Sequence, residues 1–187
     1  LFPALVLTAL GSIVLGMGLP TTAAYVVLAA LGAPALVELG VPLLAAHLFI
    51  FYFGALSNVT PPVSLAAFAA AGIAGAPAMR TALTGMGLAA AGFLVPFAFV
   101  YGPGLLLIGS VGEIALAVAT GLAGVIALAA AVVGWLRGPL RWFDRALLAA
   151  AAVALVFPGL YTGGAGLVAL LWAARTPASR SPGTAAA

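Results

Sequence analysis

Ser57-Asn58-Val59-Thr60-Pro61-Pro62 places two hydroxyls and an amide inside a long apolar run, HLFIFYFGALSNVTPPVSLAAFAAAG. A second interruption, Gly16-Met17-Gly18-Leu19-Pro20-Thr21-Thr22, lies upstream. The side chains of Thr21, Thr22, Ser57, Asn58 and Thr60 offer neutral oxygens, the ligand type that hard cations prefer. Proline has no N–H, so Pro61 and Pro62 are expected to leave carbonyls near Ser57 and Asn58 without helical partners. A helix broken at membrane depth presents carbonyls at one end and N–H groups at the other. The first suit a cation such as Na⁺, and the second suit an anion such as a carboxylate. Gly18 would let backbone approach such a ligand closely. Both stretches can also be read as plain turns at the membrane surface.

The rest of the sequence narrows the setting. The chain has 187 residues, 66% of them hydrophobic and 5% charged. Soluble domains carry about a quarter charged residues, so there is too little polar surface here to cover a globule. The expected fold class is all-α: a polytopic helical membrane protein containing a helical hairpin and a discontinuous transmembrane helix. No short segments alternate apolar and polar in the manner of a membrane barrel. Cysteine is absent, His47 is the single histidine, and the acids Glu38, Glu113 and Asp144 are scattered. That set argues against a cysteine-based metal site and against a hydrolytic triad, and no enzymatic activity or cofactor is expected beyond an ion. A formal net charge of +3, with no lysine, gives no ground for nucleic-acid binding.

Glycine and proline mark the elements. Helices are expected over residues 1–15, 23–37, 43–56 and 63–74, with Thr21 and Thr22 supplying N-cap hydroxyls to the second. The segments 43–56 and 63–74 are each short of the ~20 residues a span needs, so they read as halves of one span broken at 57–62. Pro61-Pro62 would preset the start of the second half. Further spans are expected over 81–100, where Gly85, Ala89 and Gly92 are spaced for close packing, and over 113–135. Segments 146–157 and 166–172 flank a Gly/Pro turn and read as a re-entrant hairpin. His47 is expected as a packed, hydrogen-bonded histidine, and Phe49, Phe51, Tyr52 and Phe53 as packing surface. Trp135, Trp142 and Tyr101 read as interface anchors.

All six basic residues are arginine: Arg80, Arg137, Arg141, Arg145, Arg175 and Arg180. Two spans separate Arg80 from Arg137, and a re-entrant hairpin would keep Arg175 and Arg180 on the same side. The positive-inside bias makes that side cytoplasmic. The chain opens at Leu1 within an apolar run, and a portion of a longer protein is expected.

The stretches LGMGLPTTAAYVVLAALGAPALVELGVP and HLFIFYFGALSNVTPPVSLAAFAAAGIAG resemble the large membrane subunit of TRAP transporters, the tripartite ATP-independent periplasmic transporters. The aromatic HLFIFYFG before SNVTPP resembles the fused permeases of the TAXI branch. The resemblance covers about residues 1–109 and implies the C-terminal one of two inverted repeats in an elevator-type secondary transporter. It implies Na⁺ between the hairpin tip and the unwound helix, at Gly16 and at Ser57, Thr60 and Val63, largely through carbonyls. Ser57-Asn58 stands where other branches have glycine, which adds side-chain oxygens. Together the residues and the resemblance give the ion- and substrate-binding candidates Gly16, Gly18, Pro20, Thr21, Thr22, Ser57, Asn58, Thr60, Pro61, Pro62 and Val63.

The expected organisation is a permease repeat over 1–109, a span and a re-entrant hairpin over 110–174, and a disordered cytoplasmic tail over 175–187. The expected function is import of an organic acid by Na⁺ symport across the bacterial inner membrane. The expected partners are an extracytoplasmic solute-binding protein, the remaining permease repeat or small membrane subunit, and membrane lipid. The rival expectation is a structural or assembly membrane protein that does not transport.

Overall fold

In the computed structural model, residues 1–156 are described, together with Gly164, Gly166, Val168 and Leu170. The described elements are helical: α1 (Phe2–Gly16), α2 (Thr21–Glu38), α3 (Leu43–Leu56), a 3-10 turn (Ser57–Val59), α4 (Leu65–Ala74), α5 (Ala78–Leu88), α6 (Ala90–Tyr101), a second 3-10 turn (Pro103–Leu106), α7 (Val111–Val133) and α8 (Trp142–Val156). Among the described residues there is no strand, and the lone backbone bridge joins Trp135 to Pro139. The all-helical expectation holds. Thr21–Glu38, Ala78–Tyr101 and Val111–Val133 are each long and apolar enough to cross a membrane. Large apolar side chains stand exposed along the helices, among them Leu7, Leu31, Ile73 and Leu122. Helices apolar on their outer faces suit lipid or protein partners rather than water.

Three helix starts share one device. Pro20, Pro42 and Pro77 occupy the N-cap positions of α2, α3 and α5, each with φ near the fixed proline value (−56°, −55° and −64°). Their extended ψ turns the chain into the helix, and their own carbonyls accept the first helical bonds, as in Ala24 N–H to Pro20 O at 3.0 Å. This corrects the expectation for Thr21 and Thr22. Both lie inside the first turn of α2, and neither makes a side-chain cap hydrogen bond.

The span expected over 81–100 runs over 78–101 but is broken at Ala89, which has φ −82° and ψ 4°. The Gly92 N–H there bonds to Ala89 O at 2.8 Å, a tightened turn. Pro96 lies inside α6 and has no N–H to donate to the Gly92 carbonyl one turn earlier. Of the small residues noted in this span, Gly92 makes the close contact: a Cβ there would lie 3.1 Å from Leu56, whereas one at Gly85 would meet nothing within 4 Å.

The chain divides into two compact units, Leu1–Val118 and Ala119–Ala187. In the first, α3 is the central helix, packed against α1, α2 and α6. Ala45, Ala46, Phe49, Ile50 and Phe53 of α3 are buried. Phe49 and Phe53 sit 4.9 Å apart by ring centroid and close on Phe97 of α6 at 5.2 and 5.9 Å. Such tilted and edge-on pairs contribute about 0.5–1.5 kcal/mol each beyond area burial. Phe49 and Phe53 are therefore packing surface, as expected, and Tyr52 packs at its edge, whereas Phe51 is 41% exposed. On the α2 side, Gly32 admits Ile50 and Gly54 admits Leu28, at 3.1 and 3.2 Å from their would-be Cβ positions. Small residues matter here because lipid supplies no hydrophobic drive between helices, leaving close van der Waals contact to do it. The start of α7 is fixed by a reciprocal cap. Ser110 donates its N–H (2.7 Å) and its hydroxyl (2.9 Å) to Glu113 Oε2, and the Glu113 N–H is 3.4 Å from Ser110 Oγ. This is the capping-box arrangement.

In the second unit, α7 and α8 pack closely at Gly124, whose would-be Cβ lies 3.1 Å from Val156 and 3.3 Å from Ala152 O. Arg145 of α8 closes the end of α7 by donating Nε–H to Ala131 O at 2.7 Å and an Nη2 hydrogen to Val132 O at 3.0 Å. A cation on the last carbonyls of a helix also complements its dipole. Gly166 lies against Leu155 and the Ala151 carbonyl of α8. Of the turn expected at 158–164, residues 158–163 lie outside the described residues, as does the tail at 175–187.

Candidate functional site

The two interrupted stretches meet at one point. Gly16, the last residue of α1, is buried against the end of α3: a Cβ there would lie 2.8 Å from Ser57 Oγ and 3.0 Å from Gly54 O. No side chain fits in that space, and only glycine lets the α1 backbone reach the break. The remainder of the upstream stretch faces away from this contact. Gly18, Leu19, Pro20 and Thr22 are exposed, and Thr21 is half-buried. Gly18 has φ +82° and nothing within 4 Å of its would-be Cβ. Its requirement is conformational, a turn that glycine enters without a steric penalty. The close approach expected at Gly18 belongs to Gly16.

The break itself satisfies much of its own backbone. Ser57 Oγ donates to Gly54 O at 2.6 Å, Asn58 Nδ2 donates to Ala55 O at 3.3 Å, and Thr60 Oγ1 donates to Leu56 O at 2.7 Å. The Thr60 N–H bonds to Ser57 O at 3.3 Å. Three successive carbonyls at the end of α3, those of Gly54, Ala55 and Leu56, thus receive side-chain donors. The carbonyl expected to stand free at Ser57 is occupied, and Asn58 turns onto its own helix rather than across to Thr21 or Thr22. The reason is local: Ser, Thr and Asn side chains reach carbonyls three or four residues back at little entropic cost. Donation uses only the hydroxyl hydrogens. The lone pairs of Ser57 Oγ and Thr60 Oγ1 remain able to face a cation.

The Pro61-Pro62 peptide is cis, and α4 does not start from it. The chain continues through Val63 to Ser64, the N-cap of α4, with φ 38° and ψ 49°. Ser64 N–H bonds to Thr60 O at 3.3 Å, and Ser64 O accepts the Phe68 N–H at 2.9 Å. The proline pair therefore ends α3 without setting the first turn of α4, contrary to expectation. The turn also exposes a residue that sequence reasoning missed. Ser64 is fully buried, lies in the left-handed region, and its hydroxyl has no hydrogen-bond partner among the described residues. A buried unpaired hydroxyl costs about 1–3 kcal/mol. A non-glycine residue in the left-handed region costs on the order of 1–2 kcal/mol more. Two penalties thus fall on one residue of the turn that follows the break. The signal in the sequence was a serine directly after TPPV, an ordinary-looking helix start.

The site's electrostatics come from dipoles rather than formal charge. Among the described residues, no three His, Asp or Glu side chains gather. His47 is half-buried on α3 and shares a 2.9 Å hydrogen bond with the Tyr25 hydroxyl of α2, so it is held by packing as expected. The oxygens near the break are hydroxyls, an amide and main-chain carbonyls. That donor set suits a weakly held monovalent cation better than a tightly coordinated transition metal.

No curated protein and no solved structure matches the chain. A family model described as "Tripartite ATP-independent periplasmic transporter, DctM component" matches residues 2–114. That stretch is more than half of the 187 residues and includes α1 to α6 with both interruptions. On that match, the chain belongs to the DctM component family of tripartite ATP-independent periplasmic transporters, a family of membrane permeases.

Proposed function

We propose that this chain imports an organic acid by Na⁺ symport as a multi-pass protein of the bacterial inner membrane. In this reading it works with an extracytoplasmic solute-binding protein and with the remaining permease repeat or small subunit. The observation that carries the proposal is the contact of Gly16 with Ser57 and Gly54 O, with the buried, unpartnered hydroxyl of Ser64 following in the same turn of chain as Thr60. It joins a hairpin tip to a helix break and leaves oxygen lone pairs there. Na⁺ is cargo in this scheme. Ser57, Thr60 and Ser64 would contribute hydroxyl lone pairs, and main-chain carbonyls at Gly16 and Val63 would complete the shell. The carboxylate of the substrate would lie toward the N-terminal end of a broken helix, where unpaired N–H groups favour an anion.

Closure of the α1–α2 hairpin over the break is the natural means of coupling, because the ion would sit where the two elements touch. Binding of Na⁺ would then stabilise the contact that also shapes the substrate site. The test is uptake of a panel of radiolabelled carboxylates, with the cognate binding protein, into proteoliposomes holding the transporter. An inward Na⁺ gradient should drive accumulation, and a proton gradient alone should not. Accumulation driven by protons without Na⁺ would overturn the coupling assignment. Failure of every carboxylate tested, with uptake of a neutral solute, would overturn the substrate class.

A further inference from the structure

The turn joining α7 to α8 lies outside the residues that match the permease family, and its chemistry differs from the rest of the chain. Three of the six arginines, Arg137, Arg141 and Arg145, fall within nine residues of it. The turn is closed by its own backbone. Leu140 N–H bonds to Gly134 O at 2.9 Å, Leu136 N–H bonds to Gly138 O at 3.2 Å, and Trp135 pairs with Pro139. Gly134 adopts φ +77°, with the Arg145 guanidinium 3.4 Å from its would-be Cβ. That guanidinium is bound to the last carbonyls of α7. Arg137 and Arg141 are exposed, and among the described residues neither guanidinium has an ion pair or hydrogen-bond partner. The nearby acid, Asp144, is buried, and its carboxylate accepts the backbone N–H of Arg141 at 3.3 Å. Flanking the two free arginines are Trp135, Trp142 and Phe143, which are 57%, 80% and 55% exposed.

We propose that this turn is a binding site for the phosphate headgroup of an anionic phospholipid, with Arg137 and Arg141 as its ligands. Each planar guanidinium can hold phosphate oxygens in a bidentate manner. Exposed indole rings favour headgroup depth, where an apolar body meets a polar edge. The turn sits at the end of a helix long enough to span, which places it at the level of a lipid headgroup. The clamp of Arg145 on α7 fixes the turn, so little ordering is required when lipid arrives. A lipid is the occupant the site favours over a soluble anion, because three large, exposed apolar rings adjoin the cations in the chain and would otherwise face water.

The experiment uses the full chain in detergent micelles, with Trp172→Phe leaving Trp135 and Trp142 as the tryptophans. Brominated phosphatidylglycerol and brominated phosphatidylcholine are titrated separately, and indole quenching is followed. Phosphatidylglycerol should bind about fivefold more tightly or better, and 0.5 M NaCl should remove most of that preference. Arg137→Gln/Arg141→Gln should bring the two lipids to equal affinity, and Arg80→Gln should leave the preference unchanged. Arg137→Lys/Arg141→Lys keeps the charge, guards against a folding defect, and should retain part of the preference. Equal quenching by both lipids in the unsubstituted protein would overturn the proposal. So would a preference that survives the double glutamine substitution, or one that Arg80→Gln abolishes equally.

Discussion

A Cβ on Gly16 would stand 2.8 Å from Ser57 Oγ and 3.0 Å from Gly54 O, so the end of α1 touches the end of α3 backbone to backbone. The two interruptions are 41 residues apart in sequence, from 16 to 57, yet form one contact. Three predictions rest on that contact and on the turns around it, and a fourth on the order of the spans.

Gly16→Ala should impair transport more than Gly18→Ala. The added methyl at Gly16 meets a backbone carbonyl, which cannot swing away, and a buried hydroxyl that turns aside only by giving up its bond to Gly54 O. Overpacking of this kind costs about 1–3 kcal/mol. At Gly18 the methyl meets open space, and only the positive φ of +82° is penalised. Initial uptake rates at matched membrane levels, together with a melting profile of each purified variant, check the ranking. Equal rates for the two variants would show that the α1–α3 contact plays no part in transport.

Thr60→Val should raise the Na⁺ concentration for half-maximal uptake, by about fivefold if the lost hydroxyl contributes about 1 kcal/mol. Valine also leaves Leu56 O without the donor it has at 2.7 Å. A stability loss of about 1–3 kcal/mol is therefore expected beside the shift in sodium dependence. Thr60→Ser keeps the hydroxyl and should stay near the parent in both. A Na⁺ titration at fixed substrate separates the effects, and a curve unchanged in Thr60→Val would leave the hydroxyl with a backbone role only.

Ser64→Gly should make the protein more stable and its sodium affinity lower. Glycine relieves the left-handed backbone at φ 38° and removes the unpartnered buried hydroxyl. Those terms favour folding by on the order of 1–3 kcal/mol, offset in part by the greater freedom of glycine in the unfolded chain. If the hydroxyl faces the ion, gained stability comes with a weakened cation site. Thermal unfolding in detergent with and without NaCl reads both effects. A variant more stable than the parent and equally stabilised by NaCl would assign Ser64 no part in ion binding.

Cysteine replacements should report one face for the arginines. Arg80 lies in the first turn of the span over 78–101 and Arg137 follows the span over 111–133, so two crossings separate them. A cysteine at Ser110, between those crossings, should react with a membrane-impermeant maleimide added from the periplasmic side. One at Ser179, beside Arg180, should react only after the membrane is opened. Periplasmic labelling at Ser179 would mean that the segment after α8 crosses the membrane instead of returning.

Much of the architecture was legible from residue type alone. A chain with 5% charged residues cannot cover a water-facing surface, which decided the class. Proline and glycine act on their own backbone, so the helix ends at Gly16, Leu56 and Ala74 followed from local covalent geometry. Whether an interruption faces its own helix, a neighbour or an ion depends on distances between segments remote in sequence. Only the tertiary structure could assign the close contact to Gly16 and the free turn to Gly18, because both are glycines in one pentapeptide and differ only in what lies opposite. It also turned the hydroxyls of Ser57 and Thr60 onto α3 carbonyls, where their hydrogens are used and their lone pairs are left. The same holds for Ser64, whose burial and left-handed backbone come from the chain's need to re-enter α4 after a proline pair that cannot start it.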